Sequence, residues 1–264
     1  MAGMEKIQGI AIYKEGVPEA TPLIFVHGFP LSHEMWKPQR EFFSKSHSVI
    51  SYDLRGHGQS DVGDGQYTLE HYVDDLFMLM DHLKLECSVV CGLSMGGYIA
   101  LRAFEREPGR FSGLVLCDTK SEADSDEAKL KRAGTIRHIK KTGMAPFVEE
   151  FTKTVLSEKT LQTKPELVHF VKGMMQKNSS LGVCGALLAL AARTDTTRVL
   201  PKISVPTMIF VGEEDKVTPP ATAQAMLKSI PQAALHLIPD AGHLSNLENP
   251  AVFNGFLDAF LGKI

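Results

Sequence analysis

With 264 residues, 44% hydrophobic and 22% charged, the chain has enough apolar side chains for one large core and too few charges for a disordered one. A formal net charge of -3, with both signs spread along the chain, argues against nucleic acid or an anionic membrane as partner. No apolar run reaches spanning length and Met1 to Lys6 lacks the pattern of a secretory leader, so a cytoplasmic protein is expected.

In chain order, Lys6 to Tyr13 alternates like a single strand, and Pro22 to Val26 is a short apolar run ending in His27-Gly28-Phe29-Pro30. A helix is expected over His33 to Phe43 with Trp36 on its buried side. Ser48 to Tyr52 reads as the next strand and ends in the loop Asp53 to Ser60. Thr68 has the chemistry of a helix cap before Leu69 to Leu83, where apolar residues recur at helical spacing.

Cys87 to Leu93 reads as a strand and Met95 to Arg106 as a helix, joined at Gly92-Leu93-Ser94-Met95-Gly96-Gly97. A one-residue corner between a strand and a helix strains its central residue and needs neighbours nearly free of side chain, which Gly92 and Gly96 supply. Ser94 would then project its hydroxyl above the sheet edge at the positive end of a helix. Phe111 to Cys117 is a further strand, ended by Asp118.

Between Lys120 and about Leu200 the alternation stops. Helical periodicity is visible around Asp126 to Lys140, Ala145 to Leu156 and Pro165 to Gln176, with no convincing strand. Residues 120–200 are therefore expected to form a helical lid (cap) inserted after the sixth strand of a core made of 1–119 and 201–264. Its apolar residues Met144, Phe147, Phe151, Phe170, Met174 and Leu187 are expected either to line a pocket above Ser94 or to pack the lid onto itself.

The sheet resumes with Thr207 to Val211, ending in Gly212 to Pro219, then a helix from about Ala221 to Leu227. Ala234 to Ile238 is the last strand, leading into Gly242-His243, and Ala251 to Leu261 is a closing helix. Strands alternating with helices predict an α/β fold, a mostly parallel twisted sheet covered on both faces. Ligands of such sheets sit at the carboxyl ends of the strands, the edge to which His27 to Pro30, Ser94, Asp118, Asp215 and His243 all belong. The order Ser94, Asp215, His243 is the one expected of nucleophile, acid and base on this architecture. The four cysteines, Cys87, Cys91, Cys117 and Cys184, lack zinc-ligand spacing and read as small hydrophobes in a reducing compartment.

Five local patterns, at His27 to Pro30, Asp53 to Ser60, Gly92 to Gly97, Gly212 to Asp215 and Gly242-His243, together resemble the α/β-hydrolase fold superfamily over essentially the whole chain. Within it the chain looks most like small lidded esterases and enol-lactonases with a serine nucleophile. That family opens with two antiparallel strands, whereas only Lys6 to Tyr13 is clear here.

The resemblance implies that His243 removes the Ser94 proton during attack on a carbonyl, while Asp215 holds the ring in one tautomer and stabilises the imidazolium. It also implies an oxyanion hole made by the backbone N–H groups of Phe29 and Met95. Met144, Phe147 and Val217 are the expected substrate pocket. Asp118 ends a strand at the same edge and stays open as a rival acid; His57 and His27 are the rival histidines, read as loop residues, and Glu213 and Glu214 as solvated.

Serine at the corner, where dehalogenases and epoxide hydrolases of this fold place aspartate, points to acyl transfer. The expectation is a carboxylesterase-like enzyme acting on a small-molecule ester of small to medium acyl length. A lactonase or carbon-carbon bond hydrolase is the enzymatic alternative, and a non-catalytic ligand-binding relative the other class. No metal or organic cofactor is implied, and either a monomer or a homodimer is compatible with the sequence.

Overall fold

The computed structural model describes residues 3–264, so residues 1 and 2 of the expected core segment lie outside it. Its eight strands are β1 (Gly3–Ile7), β2 (Ile10–Gly16), β3 (Pro22–Val26), β4 (Ser48–Tyr52), β5 (Ser88–Leu93), β6 (Phe111–Cys117), β7 (Thr207–Gly212) and β8 (Ala233–Ile238). They form one sheet in the order β1-β2-β4-β3-β5-β6-β7-β8. Every pairing from β4 to β8 is parallel, and β1 and β2 pair antiparallel. The central strands β5 and β7 are buried at every position, as their unbroken apolar runs require when helices cover both faces.

The expected single strand over Lys6 to Tyr13 is instead a hairpin. Gln8 (φ 47°) and Gly9 (φ 85°) both take the left-handed conformation and reverse the chain between β1 and β2, pairing Ile7 with Ile10. A two-residue turn of this kind matches the twist of the strands it joins. It occupies only two residues, and the one sign of it in the sequence is that Ile7 and Ile10 stand three apart, which breaks the period of two. The two antiparallel strands that the resemblance calls for are thus present.

The helices flanking the sheet are α1 (Lys37–Phe43), α2 (Leu69–His82), α3 (Met95–Arg106), α9 (Pro220–Ser229), α10 (Ser245–Glu248) and α11 (Pro250–Leu261). The segment His33–Trp36, expected as the start of α1, is a 3-10 turn, and Trp36 is fully buried between Phe25 and Phe253. Thr68 caps α2 as its chemistry predicts: its hydroxyl accepts the His71 N–H while the His71 ring accepts the Thr68 N–H.

Five helices lie between β6 and β7: α4 (Asp126–Thr142), α5 (Met144–Val155), α6 (Glu158–Thr163), α7 (Pro165–Gln176) and α8 (Ser180–Ala191). The helices α6 and α8 were not expected. In α8 the residues Gly182 to Leu187 are all buried, so it is apolar all round and shows no stripe for periodicity to detect. The two ends of this segment are joined where Arg193 reaches Asp124 at 2.6 Å, Arg132 reaches the same carboxylate, and the Arg193 guanidinium sits 4.2 Å above the Tyr98 ring.

Candidate active site

The turn between β5 and α3 puts Ser94 at φ 53°, ψ -111°, a conformation that costs a non-glycine residue about 1–3 kcal/mol. Its surroundings over-determine it. Ser94 N–H donates to the Cys117 carbonyl at 2.9 Å, and the Ser94 carbonyl accepts from Gly97 N–H, Tyr98 N–H and the Thr119 hydroxyl. A Cβ on Gly96 would lie 2.2 Å from the Val26 carbonyl oxygen, and one on Gly92 would lie 2.3 Å from the Gly96 oxygen. Only glycine lets the helix approach the strands this closely.

The sheet order carries the remaining side chains to the same edge. Asp215 follows β7, two strands from β5 and the Ser94 turn, and His243 follows the adjacent β8. Ser94 Oγ lies 2.9 Å from His243 Nε2, and His243 Nδ1 lies 2.8 Å from Asp215 Oδ2. Asp215 is nearly fully buried, but its oxygens accept the Val217 N–H at 2.8 Å, the Thr218 N–H at 3.0 Å and the Thr218 hydroxyl at 2.7 Å. Burial alone would raise its carboxyl; the His243 ring and the Thr218 hydrogen bonds outweigh that and hold it below the usual aspartate value. The acceptor is therefore ionised at neutral pH. A hydroxyl, an imidazole and a carboxylate in this sequence of contacts can pass a proton from oxygen to nitrogen and stabilise the charge that results.

Phe29 follows β3, which pairs directly with β5, so the Gly28-Phe29 backbone runs beside the Ser94 turn. A Cβ on Gly28 would stand 3.5 Å from the Ser94 Cβ. Among the described residues, neither the Phe29 nor the Met95 backbone N–H donates to a protein acceptor. The Phe29 ring meets Phe151 at 5.8 Å and Phe147 at 6.3 Å between centroids, so α5 lies against the residue after Gly28.

Of the expected pocket residues, Phe147 is buried in this aromatic cluster, Met144 is half-buried at the start of α5, and Val217 is 39% exposed beside Asp215. Phe170 and Met174 line a separate cleft of about 740 Å³ with Tyr13, His33 and Asp53, a cleft that does not include Ser94.

The rival residues are engaged elsewhere. Asp118, after β6, accepts the Gly212 N–H at 2.8 Å and the Ser245 hydroxyl, and makes no hydrogen bond to His243 among the described residues. Burial, and after it the nearby Asp215 charge, push its carboxyl well above the usual range. The ligand atoms of Asp118, Asp215 and His243 lie within 4.8 Å of one another. The carboxylate oxygens accept protein hydrogens, and the imidazole faces Asp215 on one side and Ser94 on the other.

His27 Nε2 accepts the Leu54 N–H at 2.9 Å, and His57 Nδ1 lies 3.1 Å from the Arg55 carbonyl, so both rings brace the loop after β4. Glu213 and Glu214 are exposed. Sequence reasoning missed Thr218, Ser245 and Glu248. Each acts through partners distant along the chain or through a hydrogen bond that no spacing rule marks, although the run from Gly242 to Glu248 shows a buried turn rich in polar residues.

The family model described as "alpha/beta hydrolase fold" matches residues 21–250. The chain belongs to the α/β-hydrolase fold family. A structure of a thermophilic esterase from Thermogutta terrifontis superposes with a TM-score of 0.94 at 37% identity, covering 99% of each chain. The 3-oxoadipate enol-lactonase 2 of Acinetobacter baylyi is 28% identical over 94% of this chain and 91% of its own length. A non-heme chloroperoxidase of Burkholderia pyrrocinia is 31% identical over 94% of this chain and 95% of its own. These relatives match nearly end to end, so the segment between β6 and β7 lies within the matched length. None of the helices described is long and apolar enough to cross a membrane.

Proposed function

We propose that the chain is a serine hydrolase that cleaves carboxylic esters of small to medium acyl length through an acyl-enzyme on Ser94. The observation that carries this reading is the continuous contact from Ser94 Oγ to His243 Nε2 at 2.9 Å and from His243 Nδ1 to Asp215 at 2.8 Å. The unengaged N–H groups of Phe29 and Met95 beside that hydroxyl support it.

In the proposed reaction, Ser94 Oγ attacks the ester carbonyl carbon as its proton passes to His243 Nε2. The oxyanion is received by the Phe29 and Met95 N–H groups, each worth roughly 3–4 kcal/mol in the barrier. Collapse breaks the bond to the alkoxide oxygen, which leaves with the proton from His243. Water then attacks the acyl-Ser94 carbonyl, again losing its proton to His243, and releases the acid and the free serine. The sequence is redox-neutral and consumes only water.

Residues 120–200 act in this reading as a cap. Phe147 and Phe151 of α5 meet the Phe29 ring and form an apolar wall for the acyl chain, with Met144 and Val217 at its margins. A lactone is the same reacting group closed into a ring, and the likeness to an enol-lactonase favours it as the second reading. Initial rates on nitrophenyl esters of increasing acyl length, set beside small lactones, test the proposal. The reading predicts Ser94-dependent turnover that peaks at short to medium chains; turnover confined to lactones selects the second.

A further inference from the structure

We infer that Glu248 is a positioning residue: its carboxylate fastens the turn carrying His243 to the junction of α5 and α6, so that the insertion sets how far the base reaches toward Ser94. The inference rests on the serine-hydrolase reading above.

Glu248 ends α10 with its side chain fully buried. Its Oε1 accepts the Gly242 N–H at 2.8 Å, and its Oε2 accepts the Ser157 N–H at 2.8 Å. One amide belongs to the residue just before His243; the other lies in the insertion, just before α6. A carboxylate offers two acceptor oxygens and no donor, so it can satisfy both amides at once, whereas a carboxamide cannot.

The same two segments meet at further points. His243 N–H donates to the Val155 carbonyl at 2.9 Å, and the Ser157 hydroxyl donates to the Asp240 carbonyl at 3.4 Å. A Cβ on Gly242 would lie 2.8 Å from the Ser157 nitrogen, which measures how closely the two backbones approach. Lys164, at the end of α6, donates to the Glu248 carbonyl. Asp240 to His243 is thus held against residues 155–157 on one side and against the Asp215 turn on the other, where Glu214 N–H donates to the Ala241 carbonyl at 2.9 Å. A shift of the α5–α6 junction would move the imidazole relative to Ser94, which is carried by a different turn.

The test uses the full chain with E248Q, a near-isosteric change that turns one acceptor into a donor facing an amide N–H. It also uses a pair at Ser157. S157P removes the insertion-side N–H together with the hydroxyl, at a position whose φ of -66° and preceding extended residue accept proline; S157A removes the hydroxyl alone, with its cap of the Thr160 N–H and its long contact to the Asp240 carbonyl, and keeps the N–H to Glu248. The readouts are kcat and KM on a nitrophenyl ester, and the far-downfield proton NMR signal of His243 Nδ1–H.

The expected result is a kcat lowered about 10- to 100-fold in E248Q and S157P, as a base displaced by a fraction of an ångström requires. KM stays within about twofold, the downfield proton shifts or broadens, and S157A remains near the wild type. Wild-type kcat with an unmoved proton in folded E248Q overturns the inference, as does an equal loss from S157A. Failure of both E248Q and S157P to fold assigns Glu248 to stability alone and overturns it too. A wild type that turns over no ester refutes the hydrolase reading instead, and the proton signal then decides the coupling by itself.

Discussion

Two buried carboxylates stand within reach of the same imidazole, and their partners set them apart. Asp215 accepts from Val217, Thr218 and His243 and is held ionised; Asp118 accepts from Gly212 and Ser245 and is pushed toward its neutral form, first by burial and then by the Asp215 charge. Asp215→Asn should therefore lower kcat on an ester by about 10³- to 10⁴-fold, the scale seen when a triad carboxylate is replaced. Asp118→Asn should cost less than tenfold. Steady-state rates of the two variants give the ranking, and the reverse order would move the acid to Asp118. Both aspartates were visible from the sequence as strand-end residues, and their order along the chain favoured Asp215, but the hydrogen bonding that sets the two apart was not visible. It depends on which oxygen meets which amide, and Ser245 and Thr218 carry no spacing signal that ties them to either carboxylate.

At the scale of elements, the β5–α3 corner was legible because its constraint is local: a strand, one strained residue and a helix need small neighbours at fixed offsets. Gly96→Ala tests that constraint directly. With its new Cβ 2.2 Å from the Val26 carbonyl, the variant should lose about 1–3 kcal/mol in urea unfolding, the usual cost of overpacking. Unchanged stability would mean that the corner relaxes and that Gly96 is not required there. The β1–β2 hairpin was hard to read because its turn is only Gln8-Gly9 and shows itself only as a change of phase between Ile7 and Ile10, and α8 because a helix apolar all round has no apolar stripe. The contact between the His243 turn and the α5–α6 junction was equally invisible. It joins segments far apart in the chain through main-chain amides, which any sequence possesses.

Over the whole molecule, burial fixes how stability responds to pH. Burial, and then the adjacent His57 ring, lower His27 from 6.5 to about 3; burial lowers His57 from 6.5 to about 4. Both rings stay neutral in the native protein at pH values where the unfolded chain binds protons. A depressed histidine pKa contributes stability that is present above about pH 6.5 and lost as pH falls toward the folded value. Each ring should subtract about 1.4 kcal/mol per pH unit once the unfolded histidine is protonated, before the depressed aspartates Asp53, Asp124 and Asp215 add their own loss below about pH 4. The buried carboxyls of Asp118 and Asp75 are raised and take up protons in the native protein first, which offsets part of this loss. Urea midpoints should still fall between pH 6 and pH 4; midpoints that rise on acidification over that window would contradict the neutral, braced histidines. The α/β class was legible at this scale because strands and helices alternate outside 120–200, and one sheet of eight strands brings residues from the ends of β3, β5, β7 and β8 to a common edge. Of the proposed function, the central claim is that Ser94 forms the acyl bond, and the most direct measurement is the initial rate of nitrophenyl ester hydrolysis by Ser94→Ala beside the wild type. The account predicts turnover in the wild type and a loss of about 10⁴-fold or more in a variant that stays folded. Full turnover by folded Ser94→Ala would contradict it.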